Sequence, residues 1–140
     1  MKASIFLSLM FIAGTLILSC SRPDEQPDVN DFETFYDRFH SNPDYQMAHI
    51  SFPLEGLPSN ADAETIASGD FRWEAEDWQL HQPFDPANGE FKRELISFGN
   101  DMVIEKITHK NGQFGTVRRF AKLGGEWYLI YYAGLNRIAQ

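Results

Sequence analysis

Glu105 and Arg118 flank the dipeptide Asn111-Gly112 at distances that set them face to face. Asn-Gly is a strong signal for a two-residue hairpin loop, because both turn residues need positive φ. Such a loop places Glu105 opposite Arg118 and Ile104 opposite Arg119. A second two-residue loop at Gly124-Gly125 then sets Arg118 opposite Tyr131 and Arg119 opposite Ile130. Arg118 offers a rigid fork for a carboxylate or phosphate. A loop at Gly99-Asn100 brings Glu94 beside Glu105, and two close carboxylates raise one pKa into the range used for acid–base work. The plainer reading of the pair is a cross-strand salt bridge worth a few tenths to about 1 kcal/mol.

His81 and His49 form a second candidate group. His81 has Glu76 and Asp77 nearby and would serve as an acid–base group. No short motif sets a carboxylate against either ring, and a packing or surface histidine is the plain alternative. Trp73, Trp78, Trp127, Tyr131 and Tyr132 carry the flat apolar faces and polar tips that stack on sugars or other flat ligands. Trp73 and Trp127 fit core positions. Trp78, next to the acidic run Glu74-Ala75-Glu76-Asp77, is expected to be partly exposed.

Other chemistry is excluded by what the chain lacks. There is no Gly-x-Ser-x-Gly elbow, no phosphate-binding glycine loop and no dinucleotide fingerprint. His40, His49, His81 and His109 are scattered without the i, i+4 spacing of a metal pair, so neither metal nor cofactor is expected. Formal net charge is −8, which repels phosphate backbones and argues against a nucleic-acid partner.

The elements that must position these residues follow from periodicity. Phe32, Phe35, Tyr36 and Phe39 recur at i, i+3, i+4 and i+7, predicting a helix over residues 31–40 with Asn30 as N-cap and Glu33 completing a capping box. Asn42-Pro43 starts a second helix through Tyr45 and Ala48. A brief strand over residues 49–52 ends at Pro53, Glu55-Gly56 marks a turn, and residues 57–70 form a loop with one helical turn inside 61–67. Residues 71–73 read as a short strand, and 82–86 as loop. Four strands then run over 91–98, 102–109, 114–123 and 126–133, an antiparallel meander. In this register one face carries Val103, Ile107, Phe120, Leu129 and the row Glu94, Glu105, Arg118, Tyr131. The other carries Leu95, Ile104, Ile130 and the row Arg93, Lys106, Val117, Tyr132. Neither face alternates cleanly enough to be fully solvated. The helices cover one, and a second copy pairing through the sheet is expected on the other.

The first residues give an address. Lys2 precedes an uncharged run from Ile5 to Leu18, the layout of a secretory signal and too short for a spanning helix. Cys20, the chain's sole cysteine, cannot form an internal disulfide. Residues 21–30 are polar, acidic and broken by proline, as in a flexible tether. Ile17-Leu18-Ser19-Cys20 resembles the lipobox of bacterial lipoproteins, which implies cleavage before Cys20, its acylation, and a membrane attachment through that lipid. The expected layout is a signal over 1–19, a lipidated Cys20 with a linker to residue 30, and one domain over 31–140, held in the cell envelope at the outer membrane, periplasmic or surface-exposed. Ten of the chain's twelve Phe, with all five Tyr and three Trp, fall in that domain and mark it as packed.

The words Tyr36-Asp37-Arg38-Phe39-His40, Ile50-Ser51-Phe52-Pro53-Leu54-Glu55-Gly56, Phe71-Arg72-Trp73, Arg118-Arg119-Phe120-Ala121-Lys122 and Gly125-Glu126-Trp127-Tyr128-Leu129-Ile130-Tyr131-Tyr132 resemble a family of uncharacterised Bacteroidetes lipoproteins. The resemblance spans about residues 31–135 and implies the nuclear transport factor 2-like, or cystatin-like, α+β cone: N-terminal helices packed on a curved antiparallel sheet. It brings no activity with it. The resulting expectation is a non-catalytic binding domain for a small hydrophobic or sugar-like ligand or a protein partner, with Glu105, Arg118, Tyr131, His81, Trp78 and His49 as pocket candidates. The alternatives are a cone-pocket enzyme with a carboxylate or histidine base, and an accessory subunit of an envelope complex.

Overall fold

The computed structural model describes residues 29–138; the expected signal, Cys20 and most of the tether lie outside them. Helix α1 spans Val29–Ser41, α2 Pro43–Ala48 and α3 Ala63–Ser68. The strands are β1 Ile50–Leu57, β2 Arg72–Trp73, β3 Phe91–Phe98, β4 Met102–His109, β5 Phe114–Leu123 and β6 Glu126–Arg137. They make one curved, unclosed sheet in the order β2-β1-β6-β5-β4-β3. The last four strands form the antiparallel meander. β1 adds to it in parallel beside β6, and β2 pairs antiparallel with β1. The sheet is therefore mixed and six-stranded.

Helix α1 lays its aromatic stripe on one face of this sheet. Phe32, Phe35, Tyr36 and Phe39 are all buried, and their rings surround Phe120 at centroid distances of 5.4 to 6.3 Å. Each such ring contributes about 1.5–3 kcal/mol by leaving water. Ile50, Leu54, Val103, Trp127 and Leu129 complete the core. Every buried hydrophobic residue among those described lies between Phe32 and Ala133. Asp31 pins the start of α1 to the sheet. It accepts from Trp127 Nε1 at 3.0 Å and pairs with Lys122 Nζ at 2.7 Å, and both contacts hold its carboxyl below the usual range. The helix begins at Val29, one residue before the expected cap at Asn30. Asn42 does cap α2, its side chain accepting from the Tyr45 amide at 3.0 Å ahead of Pro43.

Three expectations are corrected. β1 does not stop at Pro53. The proline falls where the β1–β6 register is irregular, between Ile50 and Glu55, and there a missing amide breaks no regular ladder. Gly56 is not in a turn. It sits in β1 where a Cβ would come within 1.9 Å of the Tyr132 carbonyl oxygen, so only glycine admits so close a strand.

The third correction concerns register. The Asn111-Gly112 hairpin places Glu105 opposite Arg118, and Gly124-Gly125 pairs Leu123 with Glu126 at positive φ, both as expected. The β3–β4 loop, however, spans residues 99–101, one residue longer than assumed, so Phe98 faces Met102. Glu94 then faces Lys106, and Leu95 faces Glu105, with the whole of β3 turned over. In β6, the register against β5 slips between Phe120–Leu129 and Arg119–Tyr131, a bulge in which Ile130 is the extra residue. Arg118 therefore faces Tyr132, and Tyr131 faces Arg119.

Candidate functional site

The inner face of the meander meets α1 in a buried polar cluster. Arg93 from β3, Glu105 from β4 and Arg118 from β5 project from adjacent strands, and Tyr36 and His40 approach them from α1 at i and i+4. Glu105 is wholly buried. Its Oε1 accepts from the Tyr36 hydroxyl at 2.8 Å and from Arg93 Nε at 2.7 Å, and its Oε2 accepts from Arg118 Nη1 at 3.1 Å. Charge-assisted bonds of this kind are what make a buried carboxylate tolerable. The Arg93 guanidinium also lies 4.3 Å over the Tyr36 ring. Burial, reinforced by Glu105, pushes the Tyr36 hydroxyl up to about 12, so it remains a donor.

The bonding pattern dictates the state of His40. Its Nδ1 lies 2.8 Å from the Tyr36 carbonyl, which only accepts, and its Nε2 lies 3.1 Å from Arg118 Nη1, which only donates. The ring therefore carries its proton on Nδ1 and is neutral. Burial above all, and the Arg118 charge, bring its pKa down to about 4. His81 is likewise held neutral, lowered to about 3 by burial and then by Arg118 and His40. With both rings neutral, two guanidinium groups share the one buried carboxylate, and Glu33 of α1 also acts on Arg93. Arg118 Nε and Arg93 Nη2 are buried and donate to no described acceptor, an arrangement that costs about 1–3 kcal/mol per group if nothing compensates it.

Two cavities open beside the cluster. One, about 390 Å³, lies between the 82–88 segment and the inner sheet face; Phe84, Phe91, Ile107 and Leu135 line it, Arg118 supplies its one cationic side chain and Asp85 its one anionic side chain. The other, about 340 Å³, is bounded by Trp73, Trp78, His81 and Tyr132, with Ser59 and Asp77 at its rim. Gln82 borders both. Gln46 of α2 fixes the segment that divides them. Its Oε1 accepts from the His81 amide at 2.7 Å and its Nε2 donates to the His81 carbonyl at 3.0 Å and the Phe39 carbonyl at 2.9 Å. The His81 ring is thereby held 4.4 Å from both Trp78 and Tyr132, its Nδ1 buried without a described partner.

Among the residues singled out from the sequence, Glu105, Arg118, His81 and Trp78 are brought to this inner side. Trp78 is half-buried, donating from Nε1 to Gln46 Oε1 at 3.4 Å. Tyr131 is not brought there: the β6 bulge turns it to the outer face, with Arg119 4.3 Å over its ring, and Tyr132 takes the inner position. His49 is also elsewhere, stacked between Tyr45 at 3.7 Å and Tyr128 at 5.2 Å. Glu94, on β3's other face, makes no carboxylate pair with Glu105. Tyr36, His40, Arg93 and Gln46 escaped the sequence reading. For Tyr36 and His40 a signal existed, since both carry polar tips one helical turn apart on the buried side of α1. Among the described residues, no three His, Cys, Asp or Glu side chains gather as metal ligands.

No known family model matches the sequence, and no curated protein matches it. Solved structures do. A nuclear transport factor 2-like protein from Bacteroides fragilis NCTC 9343 aligns with a TM-score of 0.53 at 18% identity, over 80% of this chain and 50% of that one. The chain thus spans half the length of that protein. A nuclear transport factor 2-like protein from Cytophaga hutchinsonii ATCC 33406 aligns at 0.42 and 12% identity, over 78% of this chain and 93% of that one. A cystatin-like fold protein from Burkholderia xenovorans LB400 aligns at 0.43 and 16%, over 82% and 95%. With α1 laid across one face of a curved sheet, this chain has the nuclear transport factor 2-like α+β fold.

Proposed function

We propose that this chain is an exported, lipid-anchored domain that holds a small ligand on the inner face of its sheet and does not catalyse a reaction. The observation that carries this reading is the cavity of about 390 Å³ set against Arg118. Concave, largely apolar spaces with one or two fixed polar groups are what small-molecule sites look like. The groups beside it suit binding better than turnover. Glu105 is sealed from solvent and already accepts three hydrogen bonds, so it has no free edge for a substrate proton. His81, held near 3, is a weak base at neutral pH.

The anchor rests on the sequence around Cys20. On this reading Cys20→Ser abolishes labelling by a palmitate analogue and moves the protein from the membrane fraction to the soluble one. Unchanged partitioning would remove the anchor from the proposal. A second copy would pair through the outer face, where Ile96, Ile104, Val117 and Tyr131 are only half-covered.

Native mass spectrometry of residues 21–140 tests the binding reading and the pairing together. A retained small-molecule mass supports a ligand-binding cone, and a doubled protein mass supports the dimer. A bare monomer that also shows no thermal shift across a metabolite panel argues against both.

A further inference from the structure

We infer that the ligand is an organic monocarboxylate with an apolar body, its carboxylate seated on the Arg118 guanidinium and its body filling the cavity beside the 82–88 segment. This rests on the ligand-binding reading above and narrows it to one chemical class.

Three observations converge on it. The first is charge. Arg118 is the one cationic side chain that lines the cavity, and the hydrogen-bond pattern leaves His40 beside it uncharged. A neutral sugar gives that cation nothing to pair with. Asp85 shares the lining and Glu33 acts on Arg93, so a dianionic phosphate meets more repulsion there than a single carboxylate does.

The second is donor geometry. Arg118 spends Nη1 on both Glu105 Oε2 and His40 Nε2, while its Nε, on a side chain 90% buried, has no described acceptor. A guanidinium is a planar fork that grips carboxylates with two parallel N–H groups, and the Nε side is one of its gripping edges. Arg118 is also held rigidly by its two partners, so little side-chain entropy is lost when it takes a ligand.

The third is the wall opposite. Phe84, Phe91, Ile107 and Leu135 line the cavity around Arg118. An inorganic anion would leave that apolar surface unfilled, whereas an aryl or medium-chain acid covers it. The chain's overall charge of −8 does not oppose this. At physiological salt, fields fade over about 8 Å, so distant surface carboxylates count for little, and Asp85 is the one carboxylate in the cavity lining.

The test compares acids with their isosteric primary amides. Residues 21–140, which contain every core residue described, are titrated calorimetrically with phenylacetate, hexanoate and octanoate and with the three matching amides. Amide resonances of Ile107, Thr116 and Leu135 are followed by NMR to locate binding. The expected result is at least tenfold tighter binding of one acid than of its amide, with shifts confined to these cavity residues. Arg118→Gln is expected to erase the acid's advantage while leaving amide affinity in place. If that variant does not fold, Arg118→Lys decides, since it keeps the charge beside Glu105 but loses the fork; a loss of acid preference of at least threefold is expected. Leu135→Trp fills the cavity and is expected to abolish binding of acid and amide alike.

An acid and amide that bind equally well at the cavity would overturn the anion inference and leave a ligand-binding cone intact. An acid preference unchanged in a folded Arg118 variant would overturn it too. Silence from all six probes overturns it as well. The broader reading is then judged separately, by the mass retained in native spectrometry.

Discussion

Lowering the pH from 7 to 5 is expected to cost this fold about 3 kcal/mol, through His40 and His81. Both rings are neutral in the folded chain, with pKa values brought down from 6.5 to about 4 and about 3. His40 faces Arg118, Arg93 and Glu105, and His81 faces Arg118 and His40, so nothing around either ring offers an unshared negative charge. Below 6.5 the unfolded chain takes up protons at these positions and the folded chain does not. Stability present above 6.5 is therefore lost progressively as pH falls toward the folded values. At pH 5 an unfolded imidazole is charged about thirty to one, which is about 2 kcal/mol per ring that stays neutral when folded. His81 keeps partial contact with solvent, so about 1 kcal/mol is assigned to it and about 2 to His40. Asp31, lowered from 3.8, loses its contribution only at more acid pH and stays out of this window. Urea unfolding at pH 5, 6 and 7 measures the drop. His81→Phe keeps a ring between Trp78 and Tyr132 but takes up no proton, and is expected to shrink the drop by about a third. A loss under about 1 kcal/mol in the parent, or an equal loss in the variant, would refute the assignment of these histidines as buried and neutral.

Three substitutions probe the frame around the site. Glu105→Gln removes the one anion that both arginines share and is expected to cost about 3–5 kcal/mol in urea unfolding, as breaking a buried ion pair does. Gly56→Ala forces β1 away from the Tyr132 carbonyl and is expected to cost at least about 3 kcal/mol, read as a fall in melting temperature or as insoluble expression. Gln46→Leu fills the same space without holding the 78–81 segment. It is expected to cost about 1–3 kcal/mol and to speed hydrogen exchange at the His81 amide at least tenfold.

The elements themselves were readable because local signals agreed. The i, i+3, i+4, i+7 aromatic stripe marked α1, and the four meander strands lie between glycine-bearing turns. Pairing across a turn was readable only where loop length was unambiguous. Asn111-Gly112 placed Glu105 opposite Arg118, and that single pair turned out to be the centre of the cluster. The Gly99-Asn100 loop expected from the sequence is one residue too short, which reverses all of β3 and puts Glu94 in place of Arg93 on the inner face. Gln46 carried no local signal. Its two bonds to the His81 backbone reach 35 residues along the chain, and a contact that distant leaves no periodicity behind.

The β6 bulge shows why the candidate site could be half-read and no further. β6 runs 12 residues against the 10 of β5, so it must gain residues somewhere along the pair, and no residue type announces where. The first gain comes at Ile130, directly after the buried Leu129. It exchanges Tyr131 for Tyr132 on the inner face, and the consequence reaches beyond one side chain. Tyr132 supplies the ring that flanks His81 and the carbonyl that accepts from Trp73 Nε1 at 3.0 Å, the same carbonyl that demands glycine at position 56. Strand β2, the His81 segment and the close approach of β1 thus all depend on where one extra residue was inserted. The aromatic cavity is a product of that insertion, whereas the Arg118 cavity takes its arginine from the Asn-Gly hairpin and only Leu135 from β6 beyond the bulge. Deleting Ile130 should therefore disrupt the Trp73–Trp78–His81 side while the Glu105–Arg118 pair, held by the β4–β5 register, remains the last part of the inner face to lose its order.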